Sequence, residues 1–371
     1  MSKKLLHTPE GVRDIYGQEY AKKLYIENKL HETIVSYGYE DIQTPTFEFF
    51  DVFSKEVGTT PSKELYKFFD KEGNTLVLRP DFTPSIARCA AKYFMEEESS
   101  IRFCYMGNTF TNTSNLQGKL KEVTQIGAEL INDNSVQADA EMLSLVIEAL
   151  KSTGLENFQL SIGQVEFFKG LCEEAGLDED TESQLREYIC SKNFFAAQNL
   201  LRTRNIPEAY QESLLRINDM FGDITSLKAC KDAVHNELSL SAVERLESIY
   251  EVLKLYGVEK YISFDLGMLS QYHYYTGIIF KAYTYGIGDA IVKGGRYNHL
   301  LDKFGKDAPA IGFAIVIDDL QEAMDRQKLT FDIKKDSQTI YYDEEDFNEQ
   351  LKKTLALRKE GKSVLLIPKR Q

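Results

Sequence analysis

The chain is poor in the residues that mark oxidised, metal-bound, membrane-embedded or polyanion-binding proteins. Its five cysteines (Cys89, Cys104, Cys172, Cys190 and Cys230) are widely and irregularly spaced with no CxxC pair, which argues against a disulfide framework and for reduced, mostly buried thiols. The five histidines (His7, His31, His235, His273 and His299) are equally scattered, so no sequence-local metal cluster exists and no metal or other cofactor is expected. No run approaches the ~18 consecutive apolar residues of a membrane span, and the opening MSKKLLHTPEG lacks an apolar signal core. A cytoplasmic protein is expected. Basic charge is also short: 44 Lys+Arg against 58 Asp+Glu leaves a formal net charge of −14. That balance repels phosphate backbones and disfavours nucleic acid as a partner.

What is present is enough apolar material for a sizeable core, 43% of 371 residues. Residues 264–297 organise it: FDLGMLSQYHYYTGIIFKAYTYGIGDAIVKGGRY. Phe264, Leu266 and the run from Tyr275 to Phe280 favour strands, and Gly286, Gly288, Gly294 and Gly295 are read as turns, giving a glycine-punctuated antiparallel hairpin. Tyr272, Tyr274 and Tyr275 flank His273, so one strand face can present phenol hydroxyls to a pocket.

Along the rest of the chain, a helix is expected from near Gln18, with Leu24, Tyr25, Leu30 and Ile34 on one face and Gly38 after its end. Ile42 and Thr44 alternate before Pro45 ends an edge strand. Leu76 to Leu78 form a short strand, and a helix is expected over residues 85–91. At the turn between them, Asp81 and Thr83 can either accept from an ammonium group or cap the helix. Residues 102–131 read as a long hairpin whose return strand carries Gln125 and Glu129 on one face. Polar side chains there are costly unless bonded to neighbours or to a ligand. A helix over 134–154 and a strand at 158–162 follow, then a wholly helical region to about 260. Its last helix is expected to start at a Ser241/Glu244 capping box and end at Gly257. Residues 310–317 are a buried strand or helix, and a small strand, helix, strand unit occupies the stretch beyond 326.

YYTGIIF followed at short distance by GGRY, with TPEG, RPDFT and the Gln125/Glu129 strand upstream, resembles the histidyl-tRNA synthetases over about residues 8–325. The resemblance implies an α+β fold: a class II synthetase-like antiparallel sheet flanked by helices (residues 1–325), with a helical insertion at about 166–260. Residues 326–371 would be a truncated α/β unit. It also implies a homodimer through the Pro45 region and a histidine pocket made by Asp81, Thr83, Gln125, Glu129, Tyr274, Tyr275 and Arg296.

The departures from that family are selective. Where the synthetases place ATP-handling arginines, this chain reads Thr111, Ser270 and Asp319. Losing one contact to transition-state charge typically costs on the order of 10²- to 10³-fold in rate, so adenylation is not expected. A pocket kept without those arginines is similar to the regulatory subunits of short-form ATP phosphoribosyltransferase. These are non-catalytic partners of a separate catalytic subunit in the first step of histidine biosynthesis, and they convey feedback by L-histidine. The alternative is a histidyl-tRNA synthetase or another paralogue acting on histidine or tRNA.

Overall fold

The computed structural model describes residues 6–53, 60–113, 119–270, 274–331, 333 and 337–369. It divides into two compact units, Met1–Leu329 and Thr330–Gln371. In the first, α1 (Gly17–Ser36) is followed by β1 (Glu40–Asp41), β2 (Phe47–Phe49), β3 (Lys67–Phe69), β4 (Thr75–Leu78) and α2 (Thr83–Tyr93). The long hairpin β5 (Ile101–Phe110) and β6 (Glu122–Ile131), then α3 (Val136–Ser152) and β7 (Phe158–Gln164), come next. After β7 come α4 (Val165–Glu174), α5 (Glu179–Cys190), α6 (Phe194–Thr203), α7 (Glu208–Leu215), β8 (Phe221–Gly222), α8 (Ile224–Asp232) and α9 (Glu237–Tyr256), the stretch expected to be a helical insertion. The unit closes with β9 (Ile262–Asp265), β10 (Ile278–Thr284), β11 (Val292–Arg296), β12 (Ala310–Val316) and α10 (Ile317–Arg326).

Nine strands form one sheet in the order β1-β5-β6-β12-β11-β10-β7-β9-β8, while β2, β4 and β3 form a small sheet of their own. The large sheet is mixed, since β1 joins β5 and β9 joins β7 in parallel and the remaining pairs are antiparallel. The second unit is a parallel pair, β13 (Ser337–Tyr342) and β14 (Ser363–Pro368), connected through α11 (Phe347–Lys359).

Several local expectations change. Helix α1 buries Lys23, Ile26, Leu30 and Ile34, and Leu24 is exposed. The true stripe follows the i, i+3, i+4 spacing through a lysine, tolerated there because its ammonium meets Asp318 of α10 at 2.9 Å. Helix α9 starts before Ser241, because the Asn236 side chain accepts from the Ser239 N–H at 2.7 Å and supplies the cap. Its far end is as expected, with Gly257 left-handed at φ 69°. The insertion is not wholly helical, since the two residues of β8 pair with β9.

Gly294 and Gly295 are not turn residues. They lie inside β11, where a Cβ at 294 would come 2.4 Å from the Phe280 ring and one at 295 would come 2.7 Å from the Tyr275 ring. The chain needs them for close approach, not for backbone reversal. Gly127 of β6 is similarly confined: an added Cβ would stand 2.1 Å from the Phe313 carbonyl oxygen and 2.4 Å from the Tyr105 hydroxyl. Because a strand carbonyl cannot move aside, Gly127→Ala should lower stability by about 3 kcal/mol in urea unfolding.

Candidate functional site

The site grows out of strand alternation on β6, β12 and β11. Gln125, Gly127 and Glu129 point to one side of β6. Glu129 stands opposite Gly312 of β12, and Gly312 stands opposite Gly295 of β11. Gly312 leaves the space that the Glu129 carboxyl occupies, since a Cβ at 312 would fall 1.5 Å from its Oε2, and Gly295 leaves the space of the Tyr275 ring. From the start of α2, the Thr83 hydroxyl donates to Glu129 Oε1 at 2.8 Å. Tyr297, just past β11 on the same face as Gly295, donates its hydroxyl to Oε2. Asp81 accepts the Thr83 backbone N–H at 3.1 Å, so the turn before α2 uses Asp81 locally and still aims Thr83 inward.

Above this floor is a cleft of about 100 Å³ lined by Asp81, Thr83, Gln125, Tyr274, Tyr275 and Tyr297, with Lys293 at its rim. The rings of Tyr274 and Tyr275 lie 4.5 Å apart, and Tyr274 meets Tyr297 edge-on at 6.0 Å. Burial pushes the Glu129 carboxyl up to about 8, against the lowering hydrogen bonds from Tyr297 and Thr83, and nearby Asp81 adds to the rise. The Tyr297 phenol is raised well above its usual range, first by burial and then by Glu129. The chemistry on offer is recognition: acidic and hydroxyl groups for an ammonium, a buried carboxyl for a ring N–H, and phenol rings for a flat apolar body.

The structure thus brings together six of the seven residues read from sequence: Asp81, Thr83, Gln125, Tyr274 and Tyr275 on the cleft wall, with Glu129 beneath. It does not bring Arg296 there. Alternation turns Arg296 to the opposite side of β11, where it is buried against α3 with its Nε 2.7 Å from Asp139 Oδ1 and its Nη1 2.9 Å from the Asp133 carbonyl oxygen. Arg245 of α9 binds the other oxygen of Asp139 at 2.6 Å, so Arg296 belongs to a structural ion cluster. Sequence reasoning missed Tyr297 and Lys293, although counting by twos from Gly295 finds both. Tyr272 and His273 lie outside the described residues.

Of the three positions where arginines were sought, Thr111 serves the hairpin backbone, its N–H reaching the Lys121 carbonyl at 2.9 Å. Asp319 sits in the first turn of α10, its carboxyl raised by burial and by Asp289. Away from the cleft, His31, Asp41 and Cys104 converge within 4.8 Å. The His31 Nε2 to Asp41 Oδ1 hydrogen bond of 2.8 Å accounts for the first two, and burial pushes the Cys104 thiol up to about 12.

Two outcomes follow from these partners. Arg296→Met strands the buried Asp139 with one cation instead of two and should cost about 3 kcal/mol in chemical unfolding. For Glu129 the folded-state pKa exceeds the usual carboxylate value, so the folded protein holds a proton that the unfolded chain releases. Stability should therefore fall as pH rises from about 4.5 to about 8, and Glu129→Gln should flatten that decline when urea midpoints are compared at pH 5 and pH 8.

The histidyl-tRNA synthetase family model matches residues 11–320. An ATP phosphoribosyltransferase regulatory subunit from Acetivibrio thermocellus is 42% identical over 97% of this chain and 86% of its own length. The crystal structure of an ATP phosphoribosyltransferase regulatory subunit/histidyl-tRNA synthetase from Bacillus halodurans superposes with a TM-score of 0.89 at 32% identity, covering 98% of this chain and 93% of that one. Histidyl-tRNA synthetase from Nostoc shares the fold alone, at 20% identity and a TM-score of 0.81. The chain belongs to the family of ATP phosphoribosyltransferase regulatory subunits, built on the class II histidyl-tRNA synthetase fold.

Proposed function

We propose that this chain is a non-catalytic subunit that binds a separate ATP phosphoribosyltransferase catalytic subunit, enables the first step of histidine biosynthesis, and transmits inhibition by L-histidine held in the cleft. The reading is supported by a cleft that gathers Asp81, Thr83, Gln125, Tyr274 and Tyr275 above Glu129, together with Thr111, Ser270 and Asp319 where the resemblance to the synthetases implies arginines. Asp81 and Thr83 suit the amino group of histidine, Glu129 and the tyrosines its ring. Adenylation would draw negative phosphate charge toward a face where Asp319 and Asp289 already repel each other. A formal charge of −14 further disfavours tRNA. With no described helix long and apolar enough to cross a membrane, the place of action proposed is the cytoplasm.

Feedback requires that histidine bind the two states of the complex unequally. Thr83 gives a mechanical link, since it is both a cleft residue and the first residue of α2. The other end of the RPDFT turn is pinned by Arg79, whose guanidinium stacks 3.9 Å from the Phe82 ring centroid and donates to the Thr44 carbonyl at 2.9 Å, just before Pro45. Beyond Pro45, Phe47 and Phe49 are 53% and 56% exposed on β2, an apolar face that supports the homodimer.

Mixing the chain with a short-form catalytic subunit should raise phosphoribosyl transfer, and L-histidine should suppress it. Glu129→Gln should weaken that suppression by about tenfold or more while leaving activation in place. Absence of activation would sink the proposal, and ATP–pyrophosphate exchange driven by histidine would favour a synthetase instead. Phe47→Glu should shift the chain from dimer to monomer in sedimentation.

A further inference from the structure

A free amino acid brings a carboxylate as well as an ammonium and a side chain, and the cleft must neutralise it. We propose that Lys293 is the residue that receives the carboxylate of the bound amino acid. This rests on the reading of the cleft as an amino-acid site.

Among the described residues lining the cleft, Lys293 is the one that carries positive charge. Arg296, three residues on, is committed to Asp139 on the far side of the strand. Among the described residues lining the cleft, Asp81 carries the negative charge and Lys293 the positive one. That is the charge pattern of a zwitterion. Register gives the spacing. From Glu129 the path crosses two strand intervals, through Gly312 to Gly295, and steps two residues back to Lys293. The Cα positions are thus about 12 Å apart, a span that a glutamate, an intervening amino acid and a lysine stem fill together. Beneath the span, Gly312 and Ala314 line the cleft with little or no side chain of their own.

Lys293 is also placed to exchange partners. Its side chain is 44% exposed, and its ammonium lies 3.2 Å from Asp289 Oδ2. Lys119 approaches the same oxygen at 3.6 Å, so Asp289 keeps a cation when Lys293 turns to a ligand. An exposed pair of this kind is worth little by itself, so a ligand carboxylate competes with it easily.

The test is calorimetric titration of the full chain, in complex with its catalytic subunit, using L-histidine and histamine, which lacks the carboxylate. The wild-type protein should prefer L-histidine. Lys293→Met should weaken L-histidine by about 10- to 100-fold, leave histamine within about twofold, and so erase the preference. Lys293→Arg, which keeps the charge, should retain most of it. A half-exposed lysine is not a folding determinant, and an unchanged thermal midpoint verifies this. Undiminished L-histidine binding by Lys293→Met, or equal loss of both ligands, overturns the assignment while the cleft reading stands. If the wild-type complex binds no histidine, the cleft reading fails and the lysine assignment falls with it.

Discussion

The structure depends on one buried carboxylate. Glu129 lies on an interior strand of the large sheet, excluded from water, and its two oxygens are held by Thr83 from α2 and Tyr297 from beyond β11. An isolated carboxylate in such a place would be expensive, and the fold meets the cost by keeping its proton close and its hydrogen bonds complete. Gly312 exists to make room for it, and Gly295 makes room for Tyr275 above it. The helix start, the long hairpin and the last two strands of the sheet are therefore tied at one point.

That arrangement separates recognition from chemistry. Binding an amino acid needs fixed polar groups and a shaped floor. Activating one needs cations at the developing phosphate charge, and the proposed function takes Thr111, Ser270 and Asp319 to stand where those cations would be. Under the proposed function the same sheet serves as a sensor, because histidine held between α2 and β11 would bear on the element that Arg79 ties to the Pro45 turn. Coupling of this kind needs only differential contact in two states, not catalysis.

On the other face of β11, Arg296, Asp139 and Arg245 form a second buried electrostatic unit that joins the strand to α3 and α9. Adjacent residues on one strand thus serve opposite purposes: Arg296 fastens the helical layer and Tyr297 supports the cleft. In the GGRY run, adjacent residues therefore rest on different contacts, Arg296 on the ion cluster and Tyr297 on its hydrogen bond to Glu129.

By itself the sequence determined the order of most elements and much of the site. Amphipathic spacing, proline and glycine punctuation and strand alternation are local, so α2, the β5–β6 hairpin, β7, β10 and the final strand, helix, strand unit were legible. The same alternation put Gln125 and Glu129 on one face. Tertiary structure decided what alternation cannot: which face of β11 lines the cleft. That depended on α3 supplying Asp139 to Arg296 from far along the chain, which removed an arginine from the site and left Lys293 and Tyr297 in it. It also decided that Gly294 and Gly295 sit within a strand, because the rings they accommodate, Phe280 and Tyr275, reach them only when the sheet closes. Lys23 is inside for the same kind of reason, since Asp318, nearly the length of the chain away, makes its burial affordable. Local propensity reads neighbours in sequence, whereas burial, ion pairing and close approach are set by neighbours in space.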